Sequence, residues 1–151
     1  MFVPKPGQTD YTHARWAPVI TCVVTHSGKI LLVKRSRRMR LYPGFWNAIG
    51  GFLDDAKSLK EKVEEELKEE LCINKRDILS MRFGEIFDAD DPKYRKTFVI
   101  HPVLVRVRNK KITLDWEAEE YAWVTPCEAT KYKVVPSFRI SLKILFPHGT
   151  V

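Results

Sequence analysis

The sequence has no apolar run of the roughly 18 residues that a membrane-spanning helix needs, so no such helix is expected. Its opening, MFVPKPGQTDYTHARW, has no basic start leading into an apolar stretch. A secretory leader is therefore not expected, and a cytoplasmic location is. Cysteine is scarce: Cys22, Cys72 and Cys127 are far apart, odd in number and never spaced Cys-x-x-Cys. That excludes a disulfide framework and a zinc knuckle, leaving reduced thiols. His13, His26 and His148 have no partner spacing, and His101 sits in an apolar run beside Pro102, where a packed histidine is the plainer reading. Neither a Ser-His-Asp nor a Cys-His nucleophile can be assembled from these residues. Internal repeats and low-complexity tracts are also missing.

The 151 residues, 44% of them apolar, suit one domain with a proper core and are few for two. Lysine and arginine outnumber aspartate and glutamate by 26 to 19, a net charge of +7, which favours an anionic partner such as a nucleotide, a phosphorylated metabolite or nucleic acid. Basic residues gather at Lys34, Arg35, Arg37, Arg38 and Arg40, and again at Lys93, Arg95 and Lys96. No usual RNA-binding signature accompanies them.

Residues 1–15, with Pro4, Pro6 and Gly7, read as an arm that orders only by docking, a candidate for exchange in a homodimer. Residues 16–151 read as the domain. The β-branched APVITCVVT and the returning KILLVKR form a hairpin about Ser27-Gly28. A basic loop leads to FWNAI, a short strand ending at Gly50-Gly51, and one strong helix follows. ILSMRFGEIF and KTFVIHPVLVRVR read as strands joined by the polar loop DADDPKYR. KITLDW, entered through a turn at Asn109-Lys110, and EYAWVT continue the strand pattern. Pro126 opens a brief helical turn, and Ser137 is a candidate N-cap for a closing helix, FRISLKILF. The expected class is α+β, a mixed β-sheet flanked by helices in an α/β/α sandwich.

The strong helix is crowded with Glu61, Glu64, Glu65, Glu66, Glu69 and Glu70, against Lys60, Lys62 and Lys68. At about 100° per residue, Leu59, Val63, Leu67 and Leu71 make the stripe that faces the sheet. Glu61, Glu65 and Lys68 fall on the far, solvated side. Glu66, Glu69 and Glu70 form a patch bordering the core. Like charges at i, i+4 cost only about 0.2–0.5 kcal/mol per pair, too little to decide their purpose. Position matters more, because a carboxylate beside apolar packing is costly unless something neutralises it. A hard divalent cation would do so, and Mg²⁺ takes one or two carboxylates together with substrate phosphates. The glycine pair ahead of the helix permits close backbone approach and frees a carbonyl as a ligand.

From Gly51 onward the stretch resembles the signature of the Nudix hydrolases, G-x5-E-x7-R-E-U-x-E-E-x-G-U, where U is aliphatic. Glu66, Leu67, Glu69, Glu70 and Ile73 match at the required spacings. FWNAIGG and EYAWVTPCEA resemble the flanking strands, so the likeness spans roughly residues 16–146. Lys57 stands where the family has glutamate, Glu65 where it has arginine and Cys72 where it has glycine. The family's arginine usually orients a catalytic glutamate by ion pairing. Glycine's left-handed freedom is taken to be dispensable at Cys72.

The resemblance implies a Nudix-type fold and a Mg²⁺- or Mn²⁺-dependent hydrolase acting on an acid anhydride, the diphosphate of a nucleoside diphosphate joined to another group. It implies Glu66, Glu69, Glu70 and the Gly50 carbonyl as metal ligands, with Glu66 or Glu69 catalytic. A later acidic residue, Glu117 or Glu120, is the candidate loop base. Arg35, closing a strand, could reach the phosphates, and Tyr42, Phe45 and Trp46 could stack on a base. Nucleic acid enters only as a capped RNA substrate. The alternative is a catalytically impaired nucleotide- or phosphate-binding protein of the same fold, suggested by Lys57 and Glu65. An isoprenoid diphosphate isomerase would usually carry cysteine before its glycine, where this chain has NAIGG.

Overall fold

The computed structural model describes residues 3–149. Residues 1, 2, 150 and 151, the outermost parts of the expected arm and domain, lie outside the described residues. Among the described residues eight strands form one mixed sheet: β1 (Trp16–His26), β2 (Lys29–Arg35), β3 (Trp46–Asn47), β4 (Ile49–Phe52), β5 (Ile78–Phe83), β6 (Phe87–Asp91), β7 (Lys96–Val107) and β8 (Ala118–Val124). Among the same residues three α-helices accompany it: α1 (Leu59–Leu71), α2 (Pro126–Ala129) and α3 (Phe138–Leu145).

β1 and β7 run parallel at the centre, from Trp16 opposite Thr97 to Thr25 opposite Arg106. Each long strand is shared by two shorter antiparallel ones. β4 takes residues 19–22 of β1 while β2 takes the hairpin end. β6 takes residues 96–100 of β7 while β5 takes its far half. The sheet therefore splays apart, and a gap opens beside Gly50 and Gly51 in the middle of β4.

Strand alternation builds the sandwich. Cys22 and Val24 of β1, with Leu31 and Val33 of β2, pack against Val63, Leu67 and Leu71 of α1. Val23, Ile30 and Leu32 point the other way, onto Phe138, Leu142 and Leu145 of α3. One apolar layer thus lies under each helix, and this is the α/β/α arrangement of a single domain.

Several local expectations are corrected. DADDPKYR is not all loop: Phe87–Asp91 form β6, because the backbone beyond Gly84 turns to the first half of β7. A side chain at Gly84 would come within 2.8 Å of Ile144, so glycine lets the strand pass over α3. KITLDW forms no strand. Thr113 N–H bonds the Leu71 carbonyl, and Ile112 and Leu114 cover the end of α1. Ser137 precedes α3 in helical backbone, and its side chain makes no capping bond. Cys72 adopts the left-handed conformation, φ 57°, so the helix does require it there, and a residue other than glycine supplies it.

The arm docks on its own domain. Tyr11 stacks on Phe52, Thr9 N–H bonds the Asp54 carbonyl, and Gln8 Nε2 donates to Asp54 Oδ2 at 2.8 Å. Lys96, only 2% exposed, drives its ammonium into this contact and donates to the Tyr11 and Ala14 carbonyls at 2.5 and 2.7 Å.

Candidate active site

A capping box starts α1: Ser58 accepts from Glu61 N–H, and Glu61 accepts in return from Ser58 N–H. With its start fixed and its apolar stripe on the sheet, the helix presents Glu66 and Glu70 to the splayed gap. Gly51 is essential to this. A Cβ there would lie 2.6 Å from Glu66 Oε1, so the carboxylate rests directly on the backbone of β4. At Gly50 a Cβ would lie 2.9 Å from the Ile20 carbonyl of the neighbouring strand.

Glu66 and Glu70 are in contact, and Glu70 also touches Glu117, at the entrance to β8. Burial pushes the Glu66 carboxyl up to about 7. Burial first, then Glu66 and Glu117, holds Glu70 well above the usual carboxylate range. Glu117 is raised as well, mainly by burial. Glu70 Oε2 is fully buried without a hydrogen-bond partner. Carboxylates only accept, so their mutual contact requires either a shared proton or a cation among them. The orphaned oxygen of Glu70, beside a Glu66 carboxylate that rests on the Gly51 backbone, fits a hard divalent ion, which could be held by these carboxylates and by the Gly50 carbonyl.

Glu69 is exposed at the rim. Oxygens of Glu65, Glu66 and Glu69 also lie within 4.8 Å of one another. Glu65, however, is engaged by Lys57 at 3.0 Å and Lys62 at 3.6 Å, which makes it a poorer ligand than the unpaired Glu70. Its expected place on the solvated side is therefore corrected: the side chain is 26% exposed and lies in an ion-pair network. Lys62 is buried in that network, against Asp54 and Asp55.

Beside the acidic cluster lies a cavity of about 390 Å³. Gly50, Glu70, Glu117 and Arg35 line it together with Leu41, Tyr42, Phe52, Phe98 and Ile100. Arg35 Nε donates to the Leu41 carbonyl at 2.8 Å. Burial lowers the Arg35 pKa, opposed by the nearby Glu70 and Glu117. Glu120 is not brought to this cavity and pairs with Lys34 at 3.4 Å instead. Among the three aromatics named above, only Tyr42 lines it. Trp46 packs edge-on against Tyr132, and Phe45 lies under Lys133. His101 stays within β7, its Nδ1 3.2 Å from the Val19 carbonyl.

Sequence reasoning missed Asn47, Asp90 and Asp91, which also line the cavity. Asn47 Oδ1 is buried without a partner. One signal was available: Asn47 is the lone polar residue of the short apolar strand FWNAI.

Known proteins place this geometry. The family model described as NUDIX domain matches residues 15–143. The chain is 25% identical over 136 residues to nucleoside triphosphatase NudI of Salmonella arizonae, the match covering 86% of this chain and 96% of that protein. In fold it resembles a MutT NUDIX hydrolase from Burkholderia pseudomallei, with TM-score 0.72, 19% identity, and coverage of 86% of this chain and 98% of that one. It also resembles the NUDIX domain of Shewanella oneidensis NrtR, whose structure is complexed with ADP-ribose, with TM-score 0.72, 15% identity and 87% of each chain covered. With a glycine-backed acidic helix at the mouth of a splayed mixed sheet, the chain belongs to the NUDIX domain family and is a Nudix-type pyrophosphohydrolase.

Proposed function

We propose that the protein is a Mg²⁺- or Mn²⁺-dependent hydrolase of nucleoside diphosphate derivatives, with nucleoside triphosphates the first class to test. The observation that carries this is the unpaired, buried Glu70 oxygen, in contact with Glu66 and Glu117 at the end of a base-sized cavity. The similarity to a nucleoside triphosphatase supports the choice of substrate class.

Glu66, Glu70 and the Gly50 carbonyl would hold the ion, and Glu69 and Glu117 would complete the acidic shell. Bound there, a divalent ion would neutralise phosphoryl oxygens and lower the pKa of the attacking water. Arg35 binds the phosphates, with its guanidinium steadied on the Leu41 carbonyl. The base lies on the apolar wall beside Tyr42 and Phe52. Glu69, open to solvent, or Glu117, partly buried beside Glu70, accepts the proton that the water loses. Of the two later acids, Glu117 takes precedence over Glu120, which is committed to Lys34.

The test is a panel of nucleoside triphosphates, nucleotide sugars, ADP-ribose, dinucleoside polyphosphates and capped RNA, with Mg²⁺ and ¹⁸O-water. Metal-dependent release with label in the phosphate product, lost in Glu70→Gln, supports the proposal. Ligand binding without turnover across the panel overturns it.

A further inference from the structure

The two charged departures from the signature are opposite in sense: lysine replaces glutamate at 57, and glutamate replaces arginine at 65. In the structure they meet. Lys57 Nζ lies 3.0 Å from Glu65 Oε2 and 2.9 Å from Asp55 Oδ2. Lys62, with 4% of its side chain exposed, lies 3.0 Å from Asp54 Oδ1, 3.3 Å from Asp55 Oδ2 and 3.6 Å from Glu65 Oε1.

Either replacement alone would set like charges face to face. Both together restore attraction with reversed polarity. Glutamate at 65 would otherwise add a negative charge directly beside Glu66 and Glu69, whose oxygens are within 4.8 Å of its own. Lys57 and Lys62 neutralise that charge where it stands, at 3.0 and 3.6 Å from its two oxygens. The network also bridges two segments: Asp54, Asp55 and Lys57 follow the glycine pair, while Lys62 and Glu65 belong to the helix that carries the cluster. Asp54 is fixed in turn by the docked arm, through Gln8 Nε2 and Thr9 N–H.

We propose that Lys57 and Glu65 form a polarity-reversed positioning pair, seated on Lys62, which holds the acidic turn of α1 in register with the glycine backbone. This rests on the reading of the site proposed above. It also removes the ground for reading the two departures as a sign of lost catalysis. Neither side chain lines the cavity; both act through Glu66.

The full chain is compared with Lys57→Gln, Glu65→Gln, the double variant and Lys57→Arg. The readouts are kcat and KM with Mg²⁺, Mn²⁺ affinity by paramagnetic resonance, and thermal unfolding. A positioning pair lowers kcat and Mn²⁺ affinity about tenfold in each single variant, with the double variant no worse and Lys57→Arg near wild type. A mere field effect shifts Mn²⁺ affinity in opposite directions for the two singles, and that result overturns the proposal. Multiplicative losses, or changes confined to unfolding temperature, overturn it as well. If the wild type binds Mn²⁺ and turns over substrate while every variant behaves like it, this inference alone fails. If the wild type neither binds Mn²⁺ nor turns over substrate, the site reading fails with it.

Discussion

Replacing Glu66 by glutamine should make the metal-free protein more stable while weakening its grip on metal. Burial raises the Glu66 carboxyl from its ordinary 4.5 to about 7. At roughly 1.4 kcal/mol per pH unit, its ionisation costs the folded state up to about 3 kcal/mol. The raised value belongs to the folded chain. The penalty is therefore fully present above about pH 7, shrinks as pH falls through the folded value, and is gone below the unfolded value near 4.5. Metal-free wild type should thus gain stability from pH 8 to pH 5. Glu66→Gln should lack that part of the slope and exceed wild type by up to about 3 kcal/mol at pH 8, which is about 6–12 °C in Tm for a chain of this size. Near pH 4.5 the two should converge. Mn²⁺ at about a hundred times its Kd stabilises the wild type by about 2.7 kcal/mol and should narrow or reverse the ranking at pH 8. Urea unfolding with chelator and with Mn²⁺, across pH 4.5–8, measures all of this. A variant less stable than wild type at pH 8, or a pH-independent difference, would refute the reasoning.

Gly51→Ala should push the Glu66 carboxylate off the β4 backbone, since the new Cβ would lie 2.6 Å from Oε1; Mn²⁺ affinity should fall at least about tenfold by calorimetry, at a stability cost of about 1–3 kcal/mol. Cys72→Gly should raise stability by about 1 kcal/mol in urea unfolding, because a left-handed residue with φ 57° gains a backbone without Cβ. Lys96→Met should strand the Tyr11 and Ala14 carbonyls and cost about 1–3 kcal/mol. It should also speed proteolysis within residues 3–15, read by mass spectrometry.

The helix was legible because its signals agree: a Leu-Val-Leu-Leu stripe every four residues, and carboxylates on one flank of it. Those periodicities also identified Glu66 and Glu70 as core-bordering before any tertiary contact was known. Gly50-Gly51 was ambiguous alone and became informative only beside the helix, since the close approach to Glu66 is a long-range contact. The Lys57–Glu65 bond was hidden for a related reason. A wheel places Glu65 toward solvent, but the loop folds back over that face and brings Lys57 with it. β6 was read as loop because Asp88, Asp90 and Asp91 disfavour strand, and pairing with the first half of β7 overrides that preference. Glu117 and Glu120 are indistinguishable as neighbouring acids, and only the tertiary fold separates them: Glu117 stands just ahead of β8 against Glu70, while Glu120 lies in β8 opposite Lys34.

The most direct test is the anomalous signal from a crystal soaked in Mn²⁺. A peak about 2.1 Å from carboxylate oxygens of Glu66 and Glu70 and from the Gly50 carbonyl is the expected result. A peak on Glu65, or none in that corner at saturating Mn²⁺, would contradict it.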